Sequence, residues 1–463
     1  MSRRQSPLVQ EMAAEALDHH RAHRLAEAEQ IYRQILALDP QHADSLHLLG
    51  MITFQMGRSE ESVHLIKRAI EIKGNAASYH SNLGNVLQSQ GKLAQAGACY
   101  QRALLLKPDS AEIYVNLGNI FKAQGQLDSG LACYRRAASL DPQLAEAVTA
   151  EAAILLLKGD FAAGWLASER RWDTLDRDTP PRAYPWPRWK GEQTLPGQLL
   201  IWREQGIGDE IMFAGLIPEV IRSGVSCVLD CDPRLAPLFA RSFPNIAIFP
   251  DLVPEEHPEL DIAAHLPCAS LPGLLRRSSA AFAATSSPYL APDPLKRATF
   301  RRRYSDGRKT VGLAWYTANK KTGRIRSIDL SMLAPLFALS GVRWISLQYG
   351  GHDALEEQAA AANAPILIDR DVDQFTNVDE FAGQVAAMDL VITIDNSTAH
   401  LAGALGVPAW VLLPFAPDWR WLLDRSDSPW YPSIRLFRQT RMDDWQSVVQ
   451  QVRDALGQST LSP

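Results

Sequence analysis

Three segments bring together the residue types needed to move a group off a phosphorylated carrier. In Arg203-Glu204-Gln205-Gly206-Ile207-Gly208-Asp209-Glu210, two glycines precede a stretch with helical spacing. Gly206 and Gly208 permit close backbone approach to a ligand, and Asp209 falls at the helix start, where a carboxylate can accept a proton from an attacking hydroxyl. An aspartate after a glycine turn is also an ordinary capping residue, and a lone GxG is weak evidence. The second segment, Asp395-Asn396-Ser397-Thr398-Ala399-His400, opens a helix that Gly406 and Pro408 stop. Its hydroxyls, first-turn amides and helix dipole suit a phosphate, which makes Asp395, Ser397, Thr398 and His400 candidate ligand contacts. A hydrolytic triad from Asp395, Ser397 and His400 is disfavoured, because triad members converge from separate loops. The third segment, Lys320 to Ser327, carries four cations in seven residues, and Lys320, Lys321 and Arg326 are candidates to neutralise a diphosphate, with a solvated basic loop as the bland alternative. No GxxxxGK[ST] pattern accompanies it.

Each of these segments follows a short apolar run. Leu199–Trp202, Cys227–Leu229, Ile246–Phe249, Val311–Trp315, Trp344–Leu347, Leu390–Ile394 and Val411–Leu413 read as buried strands. Between them, Glu210–Arg222, Asp379–Met388 and Ser397–Leu405 have helical spacing. Strands alternating with helices predict parallel sheets, which bind ligands beyond the carboxyl ends of their strands. A Pro- and Arg-rich run, Ala291 to Asp306, divides the region into two Rossmann-like halves, 198–295 and 306–445. All twelve tryptophans lie at or beyond Trp165, and the stretch 173–197, with Trp186-Pro187-Arg188-Trp189, reads as a linker packed by its aromatics.

The amino-terminal third repeats. Pro40, Gly74, Pro108 and Pro142 are 34 residues apart, and Leu49-Gly50, Leu83-Gly84 and Leu117-Gly118 recur at that interval. So do Ala28, Ser62, Ala96 and Gly130, and the set Tyr32, Ile66, Tyr100 and Tyr134. This period, with small residues where helices meet, resembles the tetratricopeptide family over residues 9–172, in four clear repeats and a degenerate fifth. Such arrays present a groove suited to an extended peptide. Asn82 and Asn116, and likewise Asn85 and Asn119, occupy equivalent positions one repeat apart. A ladder of carboxamides can pair with a bound protein backbone, or can bridge neighbouring helices.

Taken together, the Gly206-Ile207-Gly208-Asp209 and Asp395-to-Gly406 segments resemble glycosyltransferases of the GT-B fold, especially the ADP-heptosyltransferase-like family, over roughly residues 198–445. The resemblance implies an amino-terminal tetratricopeptide α-solenoid followed by a GT-B fold of two Rossmann-like domains. It also implies Asp209 as catalytic base, a nucleotide-sugar held by the second segment, and a metal-independent, inverting transfer. That family usually has Gly where Ser397 stands. The combination with repeats is similar to bacterial protein glycosyltransferases, including those that modify flagellin, and to the layout of O-GlcNAc transferase. The implied acceptor is a Ser or Thr hydroxyl of a protein recruited by the repeats. Two alternatives stand beside it: a non-catalytic tetratricopeptide adaptor with a degenerate GT-B domain, or a GT-B sugar-nucleotide epimerase. The Pro417-Asp418-Trp419-Arg420-Trp421 stretch extends the resemblance, its aromatics covering the donor or packing in the core.

Composition sets the remaining bounds. A net charge of -5, from 47 Lys+Arg and 52 Asp+Glu, gives no overall field for nucleic acid or anionic lipid. The five cysteines lack CxxC spacing, so neither a zinc module nor a disulfide framework is expected, and no cofactor or metal is required beyond the nucleotide-sugar substrate. The acidic run Asp369–Asp373 reads as a surface loop. Without a signal-like apolar segment or an 18-residue apolar stretch, a cytoplasmic protein with no integral membrane association is expected.

Overall fold

The 34-residue period becomes helix pairs. The computed structural model describes residues 7–174, 182–285, 288–319 and 322–460. Its first helices are α1 (Pro7–Arg21), α2 (Leu25–Leu38), α3 (Ala43–Gln55), α4 (Ser59–Ile72), α5 (Ala77–Ser89), α6 (Leu93–Leu106), α7 (Ala111–Ala123) and α8 (Leu127–Leu140), followed by α9 (Ala145–Leu157) and α10 (Phe161–Ser168). The chain forms two compact units, 1–154 and 155–463.

Within the first unit the recurring Leu-Gly has a direct physical cause. A Cβ placed on Gly118 would stand 2.5 Å from Tyr134 Cε1, one on Gly84 2.7 Å from Tyr100 Cε1, and one on Gly50 2.6 Å from Ile66 Cγ1. The glycine of each first helix therefore admits the buried Tyr or Ile of the second. Tyr32, Ile66, Tyr100 and Tyr134 are all fully buried. A second glycine register, Gly57, Gly91, Gly125 and Gly159, makes the turn inside each pair, with φ of 74° to 82°.

The second unit holds two sheets. β1 (Gln198–Trp202), β2 (Cys227–Cys231), β3 (Ala247–Pro250) and β4 (Ile262–Pro267) pair in the order β3-β2-β1-β4. β5 (Lys309–Ala314), β6 (Val342–Ser346), β7 (Ile366–Leu367), β8 (Leu390–Ile394), β9 (Ala409–Leu413) and β10 (Ile434–Arg438) pair in the order β10-β9-β8-β5-β6-β7. Every pairing is parallel. This is the architecture expected of a helical repeat array followed by two Rossmann-like sheets, and it is consistent with a GT-B fold. The central strands are buried on both faces, as parallel sheets covered by helices require.

Several elements differ from the sequence reading. β4, β7 and β10 carry too little continuous apolar sequence to stand out: His265 interrupts β4, β7 has two residues, and Arg435 and Arg438 interrupt β10. The helical window 210–222 is broken into Ile207–Ala214 and Ile217–Arg222. The Pro- and Arg-rich divider contains a helix, Pro294–Tyr304, because Pro294 sits in its first turn and Asp293 accepts from the Leu295 and Lys296 amides. In the linker, Trp189 donates its N–H to the His265 carbonyl (2.9 Å) and the His265 N–H reaches the Pro187 carbonyl (3.0 Å), so these residues extend the β4 edge. The helix Trp445–Thr460 lays Val448, Val449, Val452 and Leu456 into the core of the six-stranded sheet. No helix among the described residues is long and apolar enough to cross a membrane.

Chain order reverses at one place in each sheet, between β1 and β4 and between β5 and β8. Such switch points splay the adjoining loops apart and leave a crevice. The three chemistry-bearing segments follow β1, β5 and β8.

Replacing Gly118 with Ala tests the close approach in the first unit. Helix propensity alone favours Ala by about 1 kcal/mol. We expect instead a loss of about 1–3 kcal/mol in urea unfolding of the full chain followed by circular dichroism, because the methyl overpacks Tyr134. A stabilised variant would contradict the packing.

Candidate functional site

The loops after β1 and β8 lead into the helices Ile207–Ala214 and Ser397–Ala404, which pack against each other. A Cβ on Gly208 would stand 3.2 Å from His400 Cδ2 and 3.4 Å from Ser397 Cα, so a side chain there would crowd the contact and the neighbours would have to give by a few tenths of an ångström. They border a cleft of about 500 Å³. Gly206, Gly208, Asp209 and Arg234 line it from the four-stranded side; Thr317, Asn319, Arg326, Tyr349, Asn396, Ser397, His400, Asp418 and Arg420 are among those lining it from the six-stranded side. Two residues beside the cleft loops, Gln205 (φ 66°) and Leu422 (φ 51°), hold left-handed backbone that costs a non-glycine residue on the order of 1 kcal/mol.

Neighbouring contacts fix these loops. Glu204, buried, receives two bonds from Arg171 (2.7 and 2.8 Å) and one from the Ala269 amide (3.1 Å). Gln348 Oε1 accepts the Trp315 and Tyr316 amides (2.9 and 2.8 Å), which sets the chain direction after β5. Asn396 caps its helix by accepting from the Ala399 amide (3.3 Å), while Thr393 Oγ1 donates to the same oxygen (2.9 Å). Among the described residues the Asn396 Nδ2 group, although buried, has no acceptor. A buried donor at the mouth of a cleft is costly unless a ligand or water takes its hydrogens.

A chain of alternating charges runs along the cleft. Asp209 pairs with Arg420. Arg420 also pairs with Asp418 (2.6 Å), Asp418 with Arg326 (3.3 Å), and Arg326 with Asp395 (3.2 Å). Burial raises the Asp395 carboxyl, although Arg326 opposes the rise. Burial acts the same way on Asp418, but Arg420 and Arg326 outweigh it and hold that carboxyl well below the usual range. The Arg420 guanidinium lies 4.3 Å from the Trp419 ring centroid, a cation–π contact that steadies it. The second oxygen of Asp209 accepts from the Gly206 amide (3.2 Å), at the start of its own helix.

His400 is buried, stacked on Trp421 (5.5 Å, 19°), with Nδ1 2.9 Å from the Tyr431 hydroxyl. Burial, helped by the Arg420 charge, pushes its pKa down to about 4. Near neutral pH it is an uncharged imidazole, so it can offer a phosphate a hydrogen bond but no positive charge. Glu210 next to Asp209 points the other way, into the interior, where burial pushes its carboxyl up to about 8 and the Asp232 amide donates to it (2.9 Å).

The cleft thus brings together Gly206, Gly208, Asp209, Arg326, Asp395, Ser397 and His400. Thr398 is buried and is not among the lining residues. Lys320 and Lys321 lie outside the described residues. Arg420 and Asp418 were not singled out from sequence. The loop after β9 drew attention for its aromatics, yet Trp421 is fully buried against His400 and Trp419 packs edge-on against Trp165 (5.1 Å), while the polar residues between them reach the cleft. Asp369 is held by Arg303 (2.7 Å) and the Tyr304 hydroxyl (2.6 Å). Among the described residues no three His, Cys, Asp or Glu side chains converge to hold a metal ion.

In the repeats, the asparagines join neighbouring helices. Asn82 Nδ2 lies 2.9 Å from His47 Nε2, and Asn116 donates to Asn85 Oδ1 (3.3 Å). Asn85 and Asn119 accept from the Tyr100 and Tyr134 hydroxyls (2.7 Å each). All four remain half-buried.

Comparison with known proteins agrees with the helical part. Residues 19–84 and 111–144 match the tetratricopeptide repeat family, and residues 84–125 match a further TPR repeat description. The amino-terminal helices are tetratricopeptide repeats. The chain is similar to Protein FlbA of Caulobacter vibrioides, 31% identical over 335 residues, which cover 66% of this chain and 54% of that protein. It thus spans about half the length of that relative. The match exceeds the 154 residues of the first unit and so extends into the α/β unit. Tetratricopeptide repeat protein 7B of Homo sapiens is 34% identical over 65 residues, 14% of this chain and 8% of that one. A solved structure of MamA from Desulfovibrio magneticus RS-1 aligns with 36% of this chain and 93% of its own, at 16% identity and a TM-score of 0.33.

The Glu210 carboxyl gives a pH-dependent prediction. Its folded pKa is about 8 against an ordinary 4.5, so the folded state binds the extra proton, and its stability contribution is intact below pH 4.5 and lost as pH rises through 8. Glu210→Gln imitates the protonated form. Its denaturant midpoint should exceed that of the unsubstituted protein increasingly between pH 5 and pH 8; an equal difference at both pH values would show that Glu210 is ionised in the fold.

Proposed function

We propose that the α/β unit is a glycosyltransferase that moves a sugar from a nucleotide-activated donor to a hydroxyl acceptor, in the simplest case a Ser or Thr of a protein selected by the repeats. What supports this most directly is the facing of Asp209 and the Ser397 helix start across one crevice at the switch points of both sheets. A base and an anion site lining one crevice are what a displacement at an anomeric carbon needs. The donor diphosphate takes the amides at Ser397 and the Asn396 carboxamide, with Arg326 and Arg420 as counter-charges.

The step balances without an added reagent. Asp209 accepts the proton of the acceptor hydroxyl, the oxygen forms its bond to the anomeric carbon, and the carbon–oxygen bond to the diphosphate breaks with its electron pair on the leaving phosphate. One displacement inverts the anomeric configuration. Fixed dipoles and cations stabilise the departing charge because they are already oriented and partly withdrawn from water. The neutral His400 hydrogen-bonds without adding charge. The repeats supply the acceptor, since tetratricopeptide arrays bind extended segments of partner proteins.

The test uses cells that make either the full chain or its Asp209→Asn variant. Mass spectrometry of their proteins should find a sugar-sized addition on Ser or Thr with the former. The variant should lose the modification by a factor of about 10²–10⁴ in rate while purified protein still binds nucleoside diphosphate. Equal modification by both would remove Asp209 as the base.

A further inference from the structure

We infer that Arg420 is a donor-operated switch: it holds the Asp209 carboxylate until the donor's diphosphate draws it off, so the base becomes available only after the donor has bound. This rests on the glycosyltransferase reading and adds an order of events to it.

The starting point is a shortage of free cations. Among the described residues, the cationic side chains lining the cleft are Arg234, Arg326 and Arg420. Arg234 is forked onto Asp232 through two bonds of 2.8 Å. Arg326 lies between Asp395 and Asp418, and Arg420 between Asp418 and Asp209. The chain of five groups holds three carboxylates against two guanidiniums, and His400 adds no charge. Among the described residues, a dianion entering this cleft gains a cation only by displacing a carboxylate.

Three observations select the Asp209–Arg420 pair as the one that opens. Asp209 is the most exposed carboxylate of the chain, its side chain 22% accessible against 17% for Asp418 and 3% for Asp395, so returning it to water costs least. Arg420 does not lose its place when Asp209 lets go, because Asp418 still holds it at 2.6 Å and the Trp419 ring lies against it. Asp209 does not swing away either, because its second oxygen stays on the Gly206 amide. One ion pair breaks, both partners remain oriented, and the freed carboxylate oxygen faces the same crevice as the incoming sugar. A guanidinium bound to that oxygen occupies the lone pair that must receive the acceptor's proton.

Competition for Arg420 has a thermodynamic signature. If Asp209 and diphosphate exclude each other from one guanidinium, removing the Asp209 charge tightens diphosphate binding, and does so only when Arg420 is present. We would titrate the full chain with inorganic pyrophosphate by isothermal calorimetry at pH 7.5, in the unsubstituted form, Asp209→Asn, Arg420→Gln and the double variant. The expected result is about five-fold or more tighter binding for Asp209→Asn, weaker binding for Arg420→Gln, and a gain from Asp209→Asn below about two-fold when Arg420 is absent. A gain of equal size in both backgrounds would mean that a negative charge was merely removed, and would overturn the switch while leaving the diphosphate site in place. Unchanged or weaker binding by Asp209→Asn would overturn it as well. If pyrophosphate binds neither the unsubstituted protein nor Asp209→Asn at millimolar concentration, the diphosphate site itself fails, and the switch with it. Should Arg420→Gln not fold, Arg420→Met supplies the same comparison, since it keeps an unbranched stem in the same space and carries no charge.

Discussion

The constraint on which the site depends is the pairing of charges that the fold withdraws from water. Asp209, Arg420, Asp418, Arg326 and Asp395 come from the loops after β1, β9, β5 and β8, and none has an adequate partner on its own loop except the adjacent Asp418 and Arg420. Removing one member of a buried pair typically costs about 3–5 kcal/mol, since the partner is left charged and desolvated. The loops around the cleft are therefore held at fixed distances by electrostatic necessity, and a ligand that supplies new charge must redistribute the old pairs.

The two sheets make this convergence possible. A parallel sheet places all of its strand-ending loops on one edge, and the reversal of order at β1/β4 and β5/β8 opens a gap there. Gly208 lets two helices close over that gap, and the left-handed residues Gln205 and Leu422 turn the chain sharply into and out of it. The aromatic layer beneath, with Trp165 against Trp419 and Trp430, fixes the turn that carries Arg420 from the side opposite the cleft.

Much of this was legible in the residues. The 34-residue period identified the repeats because close packing at Gly50, Gly84 and Gly118 leaves a mark at fixed spacing. Six of the seven strands visible as apolar runs are largely buried, while β3 is an apolar run on an exposed edge, and the loops at Gly206–Asp209 and Asp395–His400 do meet in the cleft. What escaped had a physical reason. Arg420 lies between two tryptophans whose bulk dominates the local pattern, and its importance comes from Asp209, 211 residues earlier in the chain. β7 has only two residues, and Arg435 and Arg438 interrupt the apolar run of β10. The asparagines could be placed at equivalent positions from their spacing, but not their internal partners, since His47 and Tyr100 become neighbours only when the helices stack.

For the site to work as proposed, the cleft between the two sheets must hold a nucleotide diphosphate. A crystal structure of the full chain saturated with nucleoside diphosphates tests it most directly. The diphosphate should lie against the Ser397 helix start, within hydrogen-bond distance of Asn396 and Arg420. A diphosphate bound elsewhere on the chain, with the cleft unchanged at saturating concentration, would contradict it.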